Sequence, residues 1–176
     1  MNTYVAFLRG INSGLNPTIK MNVLKKAFEE LGFENVKTVI ASGNVLFDAE
    51  ATKENDLEQA IEKALPKSIG FESATIIYNI KDLQRLAKLK VFKDLKVTPT
   101  TRLFVTFVKK APRGNPKLSV EGFKMIKKSG RALFSVLDLS GTTPDLMKLL
   151  DKEFGKTNTT RSWKTIERIL QKAESA

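Results

Sequence analysis

Two polar signatures interrupt the apolar pattern of residues 3–48, which read TYVAFLRGINSGLNPTIKMNVLKKAFEELGFENVKTVIASGNVLFD. The first, Leu8-Arg9-Gly10-Ile11-Asn12, ends an apolar run, and the second is Ala41-Ser42-Gly43-Asn44-Val45. A short and almost wholly apolar run is typical of a buried strand, and arginine followed by glycine ends it. The two signatures are therefore the first places to look for a functional site.

The same stretch predicts the order strand, helix, strand, strand. The hairpin is centred on Gly43, because glycine readily takes the positive φ of a tight turn. A second amphipathic helix and a strand at residues 73–78 complete β-α-β-β-α-β, the split βαβ or ferredoxin-like order. The first helix is indicated by apolar residues at helical spacing, namely Leu24, Ala27, Phe28 and Leu31.

The second half predicts a partial repeat of this order, with no obvious sequence identity between the halves. Residues 103–108 read as a strand, residues 123–139 as a hairpin centred on Gly130, and two helices follow. We therefore predict an α+β protein of two ferredoxin-like (split βαβ) subdomains with mainly antiparallel sheets. Residues 1–97 form the first with its connecting helix, and residues 98–176 form the second, basic subdomain with a C-terminal helix.

Composition excludes several kinds of chemistry. The 176 residues are 41% hydrophobic, which is ample for a core, and they include neither cysteine nor histidine. Disulfides, thiolate nucleophiles and imidazole bases are thereby excluded, and a metal would have only oxygen ligands. The carboxylates show no metal-loop spacing, so we expect neither a metal site nor a cofactor. Without a leader pattern or a long apolar run, the sequence predicts a cytoplasmic protein with no membrane partner.

Positive charge is spread unevenly along the chain. The formal net charge is +11, of which residues 1–97 carry +2 and residues 98–176 carry +9. A basic excess of this size favours anionic partners such as nucleic acid, nucleotides or phosphorylated metabolites. The alternative is a solvated surface that only keeps the protein soluble.

Arg9, Asn12, Ser42 and Asn44 form the first candidate anion-binding constellation, and Lys20 at the start of the first helix adds a further cation. If the strand that ends at Arg9 and the strand that precedes Ser42 are neighbours, a guanidinium, two amides and a hydroxyl surround backbone N–H groups. Such a set of groups binds phosphate or carboxylate. The alternative is that the polar side chains of these residues satisfy the backbone of the turns themselves.

Thr159, Thr160 and Arg161 form the second candidate anion-binding constellation. We predict a last helix over residues 160–173, and the N–H groups at a helix N-terminus attract anions. The alternative is that one threonine is only an N-cap and that Trp163 anchors the helix in the core.

Three classes of function remain open. The favoured hypothesis is a non-catalytic binding module for a phosphate-bearing ligand or nucleic acid. The second is an enzyme acting on a phosphorylated or nucleotide substrate, with Arg9, Lys20 and Arg161 as electrostatic clamps. The third is a structural or protein-interaction domain. Phe104 and Phe107 lie three apart on one strand and point to opposite faces, so they do not form a base-stacking platform.

Four motifs, in this order, resemble a bacterial family known only as domain of unknown function number sixteen-ninety-seven: residues 4–12, 20–33, 42–45 and 159–163. The resemblance implies two ferredoxin-type α/β subdomains packed together, and it brings no established activity. The chain departs from the family pattern at residues 13–17, where the family is generally richer in glycine and lysine. It departs again at Ser162, which is commonly asparagine in the family.

Overall fold

The computed structural model describes residues 1–175, which divide into two compact units. One comprises Met1–Gln84 with the residues from Arg168 onward, and the other comprises Arg85–Glu167. In chain order the elements are β1 (Asn2–Leu8), α1 (Met21–Glu30), β2 (Glu34–Thr38), β3 (Asn44–Ala49), α2 (Glu54–Ile69), β4 (Thr75–Asn79), α3 (Ile80–Lys88), β5 (Thr101–Phe107), β6 (Ser119–Val120), β7 (Phe123–Ser129), β8 (Ala132–Asp138), α4 (Leu146–Phe154), β9 (Thr159–Ser162) and α5 (Trp163–Glu174).

The first unit is built on a four-stranded sheet in the order β2-β3-β1-β4, and every neighbouring pair is antiparallel. This is the strand order of a ferredoxin-like βαββαβ unit. Helices α1 and α2 pack on one face of the sheet, because each carries an apolar stripe at helical spacing. The shared core includes Tyr4, Ala6, Leu8, Leu24, Phe28, Phe47, Ile61 and Leu65.

The opposite face of the first sheet is buried as well. Alternation along β1 places Val5 and Phe7 on that face, and Phe7 has 0% exposure. Its ring lies edge-on to Tyr78, 6.4 Å between centroids, and Tyr78 is 7% exposed. Both faces of this sheet therefore belong to cores, and neither offers aromatic rings to a ligand.

Two glutamates of α2 cap the outer edge of β4. The carboxylate of Glu58 accepts a hydrogen bond from Ile77 N–H at 2.9 Å, and that of Glu54 accepts one from Asn79 N–H at 2.9 Å. The spacing of the two glutamates along α2 is close to that of the two N–H groups along β4. One helical turn rises about 5.4–6 Å, and two strand residues span about 6.4–6.8 Å. The edge of β4 is thereby closed to pairing with another chain.

The second unit repeats the strand order of the first. Its sheet runs β6-β7-β8-β5-β9, and every neighbouring pair is antiparallel. With the short β6 set aside, the order β7-β8-β5-β9 corresponds to β2-β3-β1-β4 of the first sheet. One helix is missing, since β5 leads through residues 108–118 to β6 and β7 without a helix. A single helix, α4, packs on a core that includes Val108, Phe123, Met125, Leu133, Leu137 and Leu150.

The predicted fold class is confirmed: the protein is α+β, with two antiparallel sheets in a two-part structure. The units divide inside α3, between Gln84 and Arg85, and again inside α5, between Glu167 and Arg168. The domain boundary proposed at residue 97 stays a prediction. No helix in residues 1–175 is long and apolar enough to cross a membrane.

Candidate functional site

The two polar signatures meet at one end of the first sheet. Leu8 N–H donates to the carbonyl oxygen of Gly43 at 2.9 Å, which ties the end of β1 to the β2–β3 turn. Gly43 has a φ of 81°, and a Cβ built there would lie 2.9 Å from Leu8 O and from Ile11 Cγ1. Only glycine fits this position without a shift of its neighbours, because both the backbone conformation and the space exclude a side chain.

Asn12 braces the loop that follows β1. Its Nδ2 donates to the carbonyl oxygens of Ile19 at 3.1 Å and of Ala41 at 2.9 Å. Its Oδ1 accepts from Ile19 N–H at 2.8 Å. Both amide hydrogens of Asn12 are thus bonded to backbone carbonyls. This agrees with the alternative interpretation of the sequence, in which the polar side chains satisfy the backbone of the turns.

Asn44 and Ser42 form a second brace inside the β2–β3 turn. Asn44 is completely buried, and its Nδ2 donates to Val39 O and to Ser42 Oγ, each at 3.1 Å. A buried amide requires such partners, since an unsatisfied polar group in a core costs free energy. The two asparagines are therefore structural elements of the turns, whatever else the turns do.

Arg9 and Lys20 lie at the two ends of the loop between β1 and α1. Arg9 N–H donates to Ala74 O at 2.9 Å, and Arg9 O accepts from Ser73 Oγ at 2.6 Å. These bonds join the loop to the start of β4. Lys20 is exposed at the N-cap position of α1, where its side chain makes no capping hydrogen bond. An anion-binding role for either residue stays a prediction.

The backbone is strained beside these turns. Asn12 has a φ of 54° and Ile40 a φ of 50°. Asparagine tolerates the left-handed region, whereas a β-branched residue there is an outlier. Such strain persists only where the surroundings impose it, and it clusters at functional sites.

Ile40 borders a basic groove of the first unit that the sequence did not reveal. Three depressions of about 310, 380 and 320 Å³ lie side by side, and all three are lined by Lys172 of α5. Strand β2 contributes Lys37 to two of them and Thr38 to two. We define the basic groove by its polar and charged lining residues Thr3, Lys25, Asn35, Lys37, Thr38, Asp48, Arg168, Gln171, Lys172 and Ser175.

Four cations and one carboxylate line the basic groove. The carboxylate, Asp48, accepts hydrogen bonds from Thr3 Oγ1 at 2.6 Å and Asn35 Nδ2 at 2.8 Å. Lys25 is 3.8 Å from Glu29 in a half-exposed pair on α1, and such pairs contribute little. Lys37, Arg168 and Lys172 make no side-chain hydrogen bond or ion pair with another residue in 1–175.

The second constellation lies elsewhere than predicted. Helix α5 begins at Trp163, so Thr159, Thr160 and Arg161 lie in strand β9 of the second unit, directly before the helix and not within it. The last helix is present but begins later than predicted, because β-branched threonines at an edge strand pair with β5, where Thr160 Oγ1 lies 2.8 Å from Thr106 Oγ1. Ser162, the last residue of the strand, accepts from Thr165 N–H at 3.3 Å and caps the helix.

Arg161 is a partly buried strand residue. Its Nη1 donates to Thr159 Oγ1 at 2.6 Å and to Thr160 O at 3.1 Å. Burial lowers the pKa of Arg161 from its ordinary value to about 10, because desolvation disfavours the charged form. Arg161 thus belongs to strand β9 and not to the last helix as predicted, and its role toward an anion stays a prediction.

The groove residues were missed for a physical reason. The apolar residues of α5 predict its core face, and they leave Arg168 and Lys172, one turn apart, on the polar face. The alternation of β2 similarly leaves Lys37 outside the core. Periodicity shows which side chains point outward, but it does not show that β2 and α5 lie beside each other.

Fold and site define a two-part α+β protein whose two antiparallel sheets share one strand order. The chain belongs to the family described as protein of unknown function (DUF1697), whose model matches residues 1–132. The resemblance stated from the sequence motifs is confirmed, although the motif at residues 159–163 lies outside the matched residues.

Among solved structures, the chain is similar to the conserved bacterial protein SP0830 from Streptococcus pneumoniae. The two share 20% sequence identity over 97% of each chain, with a TM-score of 0.68. A likeness at this identity shows the fold alone. No curated protein matches the chain.

Proposed function

We propose that this protein is a cytoplasmic, non-catalytic binding protein for a phosphate-bearing ligand, which it holds in the basic groove. The observation that supports the proposal most is the charge of the groove. Lys25, Lys37, Arg168 and Lys172 line it with one carboxylate, that of Asp48. Ammonium and guanidinium groups form charge-assisted hydrogen bonds to phosphate, which are about twice as strong as neutral ones.

The donors of the groove are available to a ligand. Lys37, Arg168 and Lys172 have no side-chain partner among the other residues in 1–175, so they need not exchange an existing ion pair for a phosphate. The hydroxyl of Thr38 adds a neutral donor to two of the depressions. Together these groups supply the multiple N–H and O–H donors that a phosphate accepts.

Two features favour binding over catalysis. The chain has neither histidine nor cysteine, so a general base would have to be a carboxylate, lysine or tyrosine. The carboxylate that lines the groove, Asp48, already accepts two hydrogen bonds from Thr3 and Asn35. These bonds fix its position, which suits a structural role.

The structure also argues against one mode of nucleic-acid recognition, the stacking of bases on the face of a sheet. Phe7 and Tyr78 lie on the sheet face that binds RNA in RNA-recognition motifs, but both are buried. Phe104 packs against the core beneath α4, and Phe107 is fully buried. Base stacking on either sheet is therefore not the mode that we propose, and phosphate contacts carry the recognition.

Calorimetric titration with ATP tests the proposal. Lys172 lines all three depressions, so Lys172→Gln should weaken ATP binding by roughly tenfold or more, the worth of a charge-assisted contact. Lys26→Gln is the matched control, because Lys26 pairs with Glu30 at 3.9 Å on α1 and does not line the groove. No binding to the unmodified protein, equal loss in both variants, or release of phosphate from ATP would contradict the proposal.

A further inference from the structure

We infer that the basic groove binds a chain of several linked phosphate groups, with one phosphate in each depression, and not a single phosphate. This inference rests on the proposed function and adds the class of ligand. The shared chemistry is a flexible row of phosphates, as in a nucleic-acid backbone or inorganic polyphosphate.

The distribution of cations carries the inference. The first depression is lined by Lys37 and Lys172, the second by Lys25, Lys37 and Lys172, and the third by Arg168 and Lys172. Four cations thus serve the three depressions, because Lys172 is common to all three and Lys37 to two, and the first depression also holds the carboxylate of Asp48. The second depression alone has three of the four, but Arg168 lines only the third, so the positive charge extends beyond a single pocket.

Continuity of the groove supports a linked ligand. Lys172 lines every depression, and the second and third also share Thr38 and Ser175. Groups held in adjacent depressions are therefore close enough to belong to one molecule. Linked groups bind with a higher effective concentration than separate ones, so each added phosphate should raise the affinity.

The residues that line the groove also indicate that a nucleic acid would be recognised through its phosphates and not through its bases. The aromatic residue that lines the groove is Phe47, which has 0% exposure and stacks in the core on Tyr4. Base recognition in single strands relies on stacking against exposed aromatic rings. A ligand in this groove should consequently be held through its charged backbone, with strong salt dependence.

The test is a calorimetric series of inorganic phosphate, pyrophosphate and tripolyphosphate at fixed ionic strength. We expect the affinity to rise by roughly tenfold with each added phosphate, the value of one charge-assisted contact. Lys25 and Arg168 each line one depression, so Lys25→Gln and Arg168→Gln should both weaken tripolyphosphate binding, whereas Lys26→Gln should not. Circular dichroism melts establish that the variants are folded.

Three outcomes separate this inference from the function on which it rests. Equal affinities for the three anions, or loss of tripolyphosphate affinity in only one of the two groove variants, would overturn the extended ligand and leave a phosphate-binding protein. Absence of binding to all three would overturn both.

A second arm compares a twelve-nucleotide oligothymidylate with inorganic polyphosphate of the same charge, and the tighter binder identifies the source of the phosphates. Oligoadenylate should bind within about threefold of oligothymidylate, since no bases are stacked. A difference above tenfold would overturn recognition through phosphates alone.

Discussion

The β2–β3 and β7–β8 hairpins occupy the same place in the two sheets, yet their turn glycines have opposite surroundings. Gly43, with a φ of 81°, is packed against Leu8 and Ile11 at 2.9 Å from a built Cβ. Gly130, with a φ of 58°, has no atom within 4 Å of that position. The first turn is enclosed by the loop after β1, and the second is open.

The two turns are joined to their neighbouring loops by different side chains. At the first turn, Asn44 and the loop residue Asn12 engage backbone carbonyls of the enclosed turn and of the adjoining loop. At the open turn, long cationic side chains reach the loop after β5: Lys128 Nζ donates to Pro112 O at 2.8 Å and Arg131 Nη1 donates to Lys109 O at 3.3 Å. A cluster of polar residues that looks like a binding site can therefore be the internal support of a turn, while the candidate site lies in the groove beside it.

The largest effect should come from adding a methyl group to the enclosed turn. Gly43→Ala combines a left-handed backbone, which costs about 1–2 kcal/mol, with overpacking against Leu8 O and Ile11, which costs about 1–3 kcal/mol. Gly130→Ala bears only the backbone cost, about 1–2 kcal/mol. Urea unfolding of both variants measures the difference. Equal losses of unfolding free energy would show that the two turns are energetically alike.

The next comparison is between two acidic side chains that accept hydrogen bonds, Glu58 at the edge of β4 in the first unit and Asp151 of α4 in the second. Glu58→Ala leaves the buried Ile77 N–H without its carboxylate acceptor and should reduce the free energy of unfolding by about 2–3 kcal/mol. In the second unit, Asp151 of α4 accepts from Asn158 Nδ2 at 3.0 Å. Asp151→Ala, at a partly buried side-chain pair, should cost about 1 kcal/mol. Chemical denaturation of the two variants checks the order, and the reverse order would refute the capping role.

Replacing Ser135 should stabilise the protein. Among residues 1–175, Ser135 Oγ is the buried side-chain polar atom without a hydrogen-bond partner, and it lies in the second unit. Ser135→Ala removes this unsatisfied hydroxyl and should raise the free energy of unfolding by about 1 kcal/mol. Thr106→Val is the control, because Thr106 does have a partner in Thr160 and should lose stability. A less stable Ser135→Ala variant would show that the hydroxyl has a partner in solution.

The smallest effect concerns the exposed carboxylate at the end of β8. Hydrogen bonds from Ser140 N–H and the Thr100 hydroxyl hold the pKa of Asp138 below its ordinary value of 3.8. Its contribution is therefore complete above pH 3.8 and is lost as the pH falls through the lower folded pKa. Asp138→Asn should lower the melting temperature slightly at pH 7, and this difference should vanish in acid. Asp94→Asn, also exposed, serves as control, and a difference that persists at pH 2 would contradict the assignment.

Much of the fold could be predicted from the sequence because its signals are local. The apolar run of β1 and the glycine in the turn of each hairpin predicted the strands at the centre of the two sheets. The absence of a helix between β5 and β6 could also be predicted, because Pro112, Gly114 and Pro116 make residues 109–117 a loop. The start of α5 was misplaced because Thr159 and Thr160 are both plausible helix caps and good strand residues, and pairing with β5 decided between them.

The candidate site was less predictable for a related reason. The sequence suggested that the two signatures could lie close together if their strands were neighbours. Asn12 does approach Ala41, but the reason is that β1 pairs with β3, where Phe7 lies opposite Asn44, and not with β2. The groove joins Lys25, Lys37 and Lys172 from three distant parts of the chain. Nothing local in the sequence links them, since their proximity is a product of tertiary packing.

Backbone amide shifts in two-dimensional NMR, followed during a titration with tripolyphosphate, test most directly whether the basic groove is the binding site. We expect the largest shifts at Thr38, Gln171, Lys172 and Ser175, with saturation at one ligand per chain. The amides of Asn12 and Asn44 should move little, because their side chains support the turns. Largest shifts at residues 159–162 of β9, or small shifts spread evenly over the surface lysines, would contradict a site in the groove.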